Sequence, residues 1–263
     1  MANLTTGVLA IDNGGHSTVL VTRNTEENFP SVKGLYNNGN LTAIKGKYDF
    51  IVEYKGKKYV AGDLAKYDCE MPLQMFTKTK QNEFYDLSVL IGVHQFGYLS
   101  NYVVVSVPIK QYTPEEGEGI TKRLKTSHTI TINGVTKTFS ISDVKVAPEG
   151  ASAFWIHQPK GKKRYLDIGS RTVNCATVVH TNDTVRFIDA ESDTIYKGIE
   201  TFHNGFDPRG LADFIGGRLL SMWNSDDSVY LLGGGALIPE IVEGIKEFFP
   251  NLRVMEQPQY ANA

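Results

Sequence analysis

The sequence predicts an α/β protein that contains two similar domains. A pattern of apolar strand, Asp, glycine and second strand occurs twice, at 8–20 and at 165–179, and a glycine-rich turn between a strand and a helix follows at 229–249. Repetition of one motif in each half of the chain favours two related domains. The length of 263 residues and the hydrophobic content of 41% are sufficient for two buried cores.

The first pattern, VLAIDNGGHSTVL at 8–20, predicts a β-hairpin whose tip carries little side-chain bulk. Asp12 ends the apolar strand. The tip residues are Asn13, Gly14, Gly15 and His16. Glycine permits positive φ and lets backbone N–H groups approach phosphate oxygens, while a carboxylate at the strand end is a suitable partner for a metal ion. Asn-Gly is also a common turn in hairpins of no special function, so this motif alone leaves an ordinary turn open.

The second pattern, YLDIGSRTVNCATVV at 165–179, repeats this arrangement. Asp167 ends an apolar run, Gly169 and Ser170 follow, and a second strand begins at Val173. We therefore expect a second hairpin able to hold phosphate, one in each domain.

The third pattern, VYLLGGGALIPEIVEGIKEFF at 229–249, runs from a strand through a glycine turn into a helix. Its apolar residues recur at helical spacing after the turn. The turn contains Gly233, Gly234 and Gly235. Three glycines at this place allow a flat ring or a phosphate to lie directly against the backbone.

These three motifs, in this order, resemble those of the actin-like ATPase superfamily. Residues 12–15 resemble its first phosphate motif, 167–170 its second and 233–236 its adenosine motif. The resemblance implies an actin-like fold in which two ribonuclease-H-like domains flank a nucleotide cleft. It implies ATP, or alternatively GTP, as the bound nucleotide and Mg²⁺ as the metal, with Asp12 and Asp167 contacting the ion through water.

The resemblance also implies a domain division and a catalytic residue. Domain I is expected at 1–148, rejoined by 258–263, and domain II at 149–257. In the superfamily an acidic or amide residue near the start of the helix that links the domains positions the attacking water, and Glu149 matches it. The alternative is that Glu149 is a helix-start carboxylate that interacts with the helix dipole.

The interval from Asp167 to Gly233 is too short for the subdomain that most actins insert in domain II, the subdomain IIB. This feature resembles the bacterial plasmid-segregation actins of the ParM and AlfA type, and the AlfA type most. The resemblance implies a filament of this protein with itself and a DNA-binding adaptor protein that links it to a plasmid centromere. Many members carry a Lys where this chain has Val19, and His16 is a candidate substitute.

Two alternatives stay open: a small-molecule kinase of the sugar-kinase type in the same superfamily, and a scaffold that binds nucleotide without hydrolysing it. The net charge of −2 argues against extensive direct nucleic-acid binding. The chain contains no apolar run long enough for a membrane span and no apparent signal peptide, so a bacterial cytoplasmic protein without membrane association is expected.

Overall fold

The computed structural model describes residues 5–37, 44, 46–69, 79–202 and 205–263. Contacts divide the chain into two compact units. The first unit contains Met1–Val105 and Thr113–Val146, and the second contains Ser106–Tyr112 and Ala147–Ala263. Residues 258–263, which the sequence analysis assigned to domain I, are grouped here with the second unit. The reason is local contact, since Asn262 hydrogen-bonds to Asp167 and Gly150.

The first unit is built on a nine-stranded sheet with the strand order β3-β2-β1-β7-β9-β8-β5-β6-β4. Its strands are β1 (Thr6–Asn13), β2 (Ser17–Val21), β3 (Glu26–Pro30), β4 (Lys33–Leu35), β5 (Asp49–Tyr54), β6 (Lys57–Gly62), β7 (Ser100–Val107), β8 (Ser127–Ile132) and β9 (Val135–Pro148). Its helices are α1 (Asp63–Asp68), α2 (Glu83–Phe96) and α3 (Pro114–Leu124).

The second unit contains a six-stranded sheet with the order β12-β11-β10-β14-β15, and β13 pairs with β11. Its strands are β10 (Gly161–Ile168), β11 (Val173–His180), β12 (Val185–Phe187), β13 (Asp193–Ile195), β14 (Val229–Leu232) and β15 (Leu252–Val254). Its helices are α4 (Phe154–His157), α5 (Pro208–Leu219) and α6 (Pro239–Phe248).

The predicted repeat is present in the topology of both sheets. In each unit a central strand pairs antiparallel with the strand that follows it and parallel with a strand from later in the chain: β1 with β2 and β7, and β10 with β11 and β14. The parallel connections require crossover segments that contain helices. This mixed arrangement confirms the predicted α/β class and the repeat of one strand pattern in both units.

Helix α2 packs on the sheet of the first unit because its central residues are apolar and include a glycine. A Cβ at Gly92 would approach Leu20 within 2.8 Å, so glycine allows the helix to pack closely on β2. The helix begins at the N-cap Asn82, whose side chain accepts from the N–H of Tyr85. In the same way α3 begins at Thr113 and Pro114, as its sequence predicts. No helix of the described residues is long and apolar enough to cross a membrane.

Lys33 is an unusual component of the first unit because its amine is buried. Its Nζ donates to the backbone oxygen of Ser31 at 2.8 Å and to the hydroxyl of Ser88 on α2. Burial, and secondly the positive charge of Lys80, lower the pKa of Lys33 to about 7.

This buried amine predicts a specific pH dependence of stability. The folded chain releases the proton of Lys33 near pH 7, whereas the unfolded chain holds it until the ordinary lysine pKa of 10.5. The unfolded state therefore binds more protons between these values, and we expect the free energy of unfolding to rise with pH in that window. The contribution of one group is about 1.4 kcal/mol per pH unit.

Denaturant unfolding of wild type and Lys33→Met, measured from pH 7 to 10, checks this expectation. The unfolding free energy of wild type should rise relative to that of Lys33→Met as the pH rises. Lys246→Met, at an exposed position of α6, is the matched control and should follow wild type. A Lys33→Met protein with the same pH profile as wild type would contradict a buried, neutral amine.

Candidate functional site

The first hairpin has the predicted tip between β1 and β2. The N–H of Gly14 donates to the carbonyl of Ser17 at 3.0 Å, and the N–H of Ser31 donates to the carbonyl of His16 at 2.9 Å. Asp12 is partly buried opposite Val19, and the side chain of His16 is exposed. Gly14 and Gly15 do not use positive φ. Their small size, rather than an unusual backbone conformation, leaves the tip open.

Asn13 supports the base of this tip. Its side chain is fully buried, and its Oδ1 accepts from the hydroxyl of Thr18 at 3.0 Å and of Ser31 at 3.3 Å. The buried amide is thus satisfied inside the unit, as buried polar groups generally are. The side-chain amide of Asn13 therefore does not face solvent at the tip, and its role in binding stays a prediction.

The second hairpin tip packs against the turn at 198–201. The N–H of Ile199 donates to the carbonyl of Gly169 at 3.1 Å, and the N–H of Glu200 donates to the carbonyl of Ser170 at 2.8 Å. In a trans peptide the C=O and the following N–H point in opposite directions. The N–H groups of Ser170 and Arg171 therefore face away from this turn.

Asp167 and Glu149 are held by one buried amide. Both carboxylates belong to residues that are 6% exposed, and Asn174 is 0% exposed. The Nδ2 of Asn174 donates to Oε2 of Glu149 at 2.7 Å and lies 3.5 Å from Oδ2 of Asp167. Its Oδ1 accepts from the N–H of Ile109 and the hydroxyl of Thr194. Because every polar position of this amide is occupied, its orientation is determined.

Asn262 connects the same carboxylate to the segment after Glu149. Its Nδ2 donates to Oδ2 of Asp167 at 2.9 Å, and its Oδ1 accepts from the N–H of Gly150 at 2.8 Å and the hydroxyl of Ser152 at 3.2 Å. Gly150 has a φ of +78°, a backbone conformation that residues with a side chain rarely adopt. The predicted helical stretch after it consists of a 3₁₀ turn, Ala151–Ala153, and the short α4.

The glycine turn lies directly against the second hairpin. Gly233 has a φ of +81°, and a Cβ there would come within 2.3 Å of Oδ1 of Asp167. A Cβ at Gly235 would come within 2.4 Å of Ile168. Gly234 begins the 3₁₀ turn, Gly234–Leu237, that leads into α6. A residue larger than glycine at position 233 or 235 would therefore push the turn away from β10, the strand that carries Asp167.

Two residues of this site, Asn174 and Asn262, are absent from the sequence prediction. Asn174 lies on β11 directly opposite Asp167 on β10. Val19 has the same position on β2 opposite Asp12 on β1. A buried Asn within the apolar run VNCATVV is the signal that would have indicated it. Asn262 has no comparable signal, since its partners are 95 and 112 residues away.

Asn262→Ala is expected to destabilise the second unit. The change removes the hydrogen bonds to Asp167, Gly150 and Ser152 and takes the acceptor from the buried N–H of Gly150, which costs about 1–3 kcal/mol. Denaturant unfolding measures the loss. Asn251→Ala, which removes one exposed hydrogen bond to Asp226, is the control. Equal losses in both variants would show that the Asn262 contacts are not important for stability.

Among the described residues, no cluster of three or more His, Cys, Asp or Glu side chains could hold a metal ion. Asp12 belongs to the first unit and Asp167 to the second, so the predicted Mg²⁺ contacts stay a prediction.

The family model "Actin like proteins N terminal domain" matches residues 10–151, more than half of the chain. The chain therefore belongs to the actin-like protein family. A comparison with curated proteins finds no match.

Solved structures extend the fold assignment to the whole chain. AlfA from B. subtilis plasmid pLS32, in a filament structure, is 17% identical with a TM-score of 0.76, over 98% of this chain and 96% of that chain. Apo pSK41 ParM is 16% identical, with a TM-score of 0.76, over 98% and 94%. An archaeal actin homolog in complex with ADP is 15% identical, with a TM-score of 0.76, over 97% and 96%. Another AlfA filament structure contains AMPPNP. At these identities the likeness concerns the fold.

Proposed function

We propose that this protein is a nucleotide-dependent, filament-forming ATPase of the plasmid-segregation type. The observation that carries the proposal is the repeated Asp–glycine hairpin, one in each unit, together with the glycine turn packed on Asp167. Structures of the same fold with ADP and AMPPNP support nucleotide as the ligand. ATP is the proposed substrate, and GTP is an alternative that the experiment below distinguishes.

The proposed binding residues act mainly through backbone groups. The N–H groups of Ser170 and Arg171 supply donors for phosphate oxygens, and 233–235 offers bare backbone on which the adenosine lies. The tip at 13–16 supplies the corresponding contacts in the first unit. The carboxylates of Asp12 and Asp167 fit Mg²⁺ bound through water, since oxygen ligands suit this ion, and Mg²⁺ would offset phosphate charge when bound.

Glu149 is the proposed catalytic residue. Its carboxylate accepts a hydrogen bond from the attacking water and takes the proton as the water oxygen bonds to the γ-phosphorus. The bond from phosphorus to the bridging oxygen breaks, which leaves ADP and phosphate. Asn174 holds Oε2 of Glu149 at 2.7 Å and thereby orients the carboxylate. Such orientation is the main contribution that a protein makes to phosphoryl transfer.

Filament formation and plasmid segregation complete the proposal. Filaments are known for an AlfA and for a Clostridium botulinum ParM of the same fold, the latter as a 15-stranded filament. The proposed partners are further copies of this chain and a DNA-binding adaptor protein at the plasmid centromere. With a net charge of −2, the chain would reach DNA through such an adaptor rather than directly.

Light scattering and phosphate release, measured on one sample with Mg²⁺ and ATP, GTP or ADP, test this function. We expect scattering to rise with ATP and phosphate release to follow it. Release that requires an added sugar, without scattering, would instead indicate a small-molecule kinase. Binding and scattering without release would indicate a scaffold.

A further inference from the structure

Lys80 places its amine beside the first glycine tip. Its Nζ donates to the backbone oxygen of Asn13 at 2.6 Å, immediately before Gly14. The same amine lies 5.5 Å from the centre of the Tyr85 ring, whose electron-rich face attracts the Lys80 ammonium. Lys80 is only partly buried. A cation therefore lies at the base of the hairpin although the hairpin sequence itself contains only the exposed His16.

The turn that carries Lys80 is held rigidly. The carboxylate of Glu116 on α3 accepts from the hydroxyl of Thr79, from the N–H of Lys80 at 2.7 Å and from the side-chain amide of Gln81 at 2.9 Å. A guanidinium N–H of Arg123 donates to the carbonyl of Lys80 at 3.2 Å. These contacts fix the backbone before α2 begins, so the amine is placed without a large loss of freedom on binding.

The ammonium of Lys80 makes the region beside the first glycine tip favourable for an anion. Phosphate is the anion that fits the tip at 14–16, because backbone N–H groups and a lysine ammonium are its usual ligands in proteins.

We propose that Lys80 binds a phosphate group of the nucleotide at the first glycine tip, and so supplies the cation for which no lysine exists on β2. This inference rests on the proposed nucleotide-binding function. Lys80 then determines the preference for phosphorylated ligands over the nucleoside, whereas the glycine turn at 233–235 contacts the adenosine.

Binding of Mg-ATP and of adenosine to wild type, Lys80→Met and Lys80→Arg tests the assignment. We expect Lys80→Met to weaken ATP affinity by about tenfold or more, the value of one charge-assisted hydrogen bond, and to leave adenosine affinity unchanged. Lys80→Arg keeps the charge and should retain most of the affinity. Lys122→Met, an exposed lysine on α3, is the matched control and should bind as wild type does.

The outcomes separate the two proposals. If wild type does not bind Mg-ATP, the proposed function is overturned and this inference with it. If wild type binds and Lys80→Met binds equally well, or loses ATP and adenosine affinity in parallel, only the assignment of Lys80 is overturned. Lysine acetylation of the wild-type chain gives an independent measurement that requires no variant to fold: ATP, but not adenosine, should slow the acetylation of Lys80 relative to Lys122. Equal protection by both ligands would contradict the assignment.

Discussion

Asp167→Ala is expected to reduce the affinity for Mg-ATP by about 10- to 100-fold, the range found when groups that orient a metal shell are removed. The carboxylate is 6% exposed and has Oδ2 fixed by Asn262, so its direction is determined before any ligand binds. Without it, a Mg²⁺ ion bound beside the second hairpin would lose a compensating negative charge. Calorimetric titration with Mg-ATP measures the change.

Asp183→Ala, in the exposed turn between β11 and β12, is the matched control and should leave the affinity unchanged. Asp167→Asn keeps the shape of the side chain and tests whether charge is responsible. If Asp12 and Asp167 act on one ion, the double variant should be little worse than Asp167→Ala alone. Unchanged Mg-ATP affinity in a folded Asp167→Ala protein would show that the metal assignment is wrong.

Glu149→Ala should separate nucleotide binding from hydrolysis. A side chain that only positions and deprotonates water contributes about 10²-fold or more to the rate, so phosphate release should slow by that factor while filaments still form with ATP. Disassembly should lag as a consequence. Phosphate release and light scattering, recorded together at saturating ATP, measure both effects.

The buried setting of Glu149 calls for two further proteins in this experiment. Removal of the carboxylate leaves Nδ2 of Asn174 without its 2.7 Å acceptor, so Glu149→Gln, which retains an oxygen, controls for structural damage. Glu256→Ala, at an exposed position after β15, should hydrolyse ATP as wild type does. Normal hydrolysis in Glu149→Ala would leave Glu149 as a helix-start carboxylate without a catalytic function.

The sequence by itself determined the features that depend on neighbouring residues. Apolar runs that end at Asp12 and Asp167, followed by glycine, small polar residues and a second apolar run, predict the two hairpins. Helical spacing after Gly235 predicts α6. Thr113 and Pro114 predict the start of α3 through local capping. The two hairpins and the glycine turn, in this order, also carry the resemblance to actin-like ATPases that implied the actin-like fold class.

Tertiary structure alone decided which polar groups meet at these hairpins. Lys80 reaches the carbonyl of Asn13 across 67 positions, and Asn262 reaches Asp167 across 95. No local pattern encodes such pairs, because they depend on strand order and on how each helix packs on its sheet. Asn174 is intermediate: its position opposite Asp167 follows from the hairpin register, but its bonds to Ile109 and Thr194 require the folded unit. The chain sequence thus specifies the two hairpins and the glycine turn, and long-range packing selects the side chains that hold Asp167, Glu149 and the first glycine tip in place.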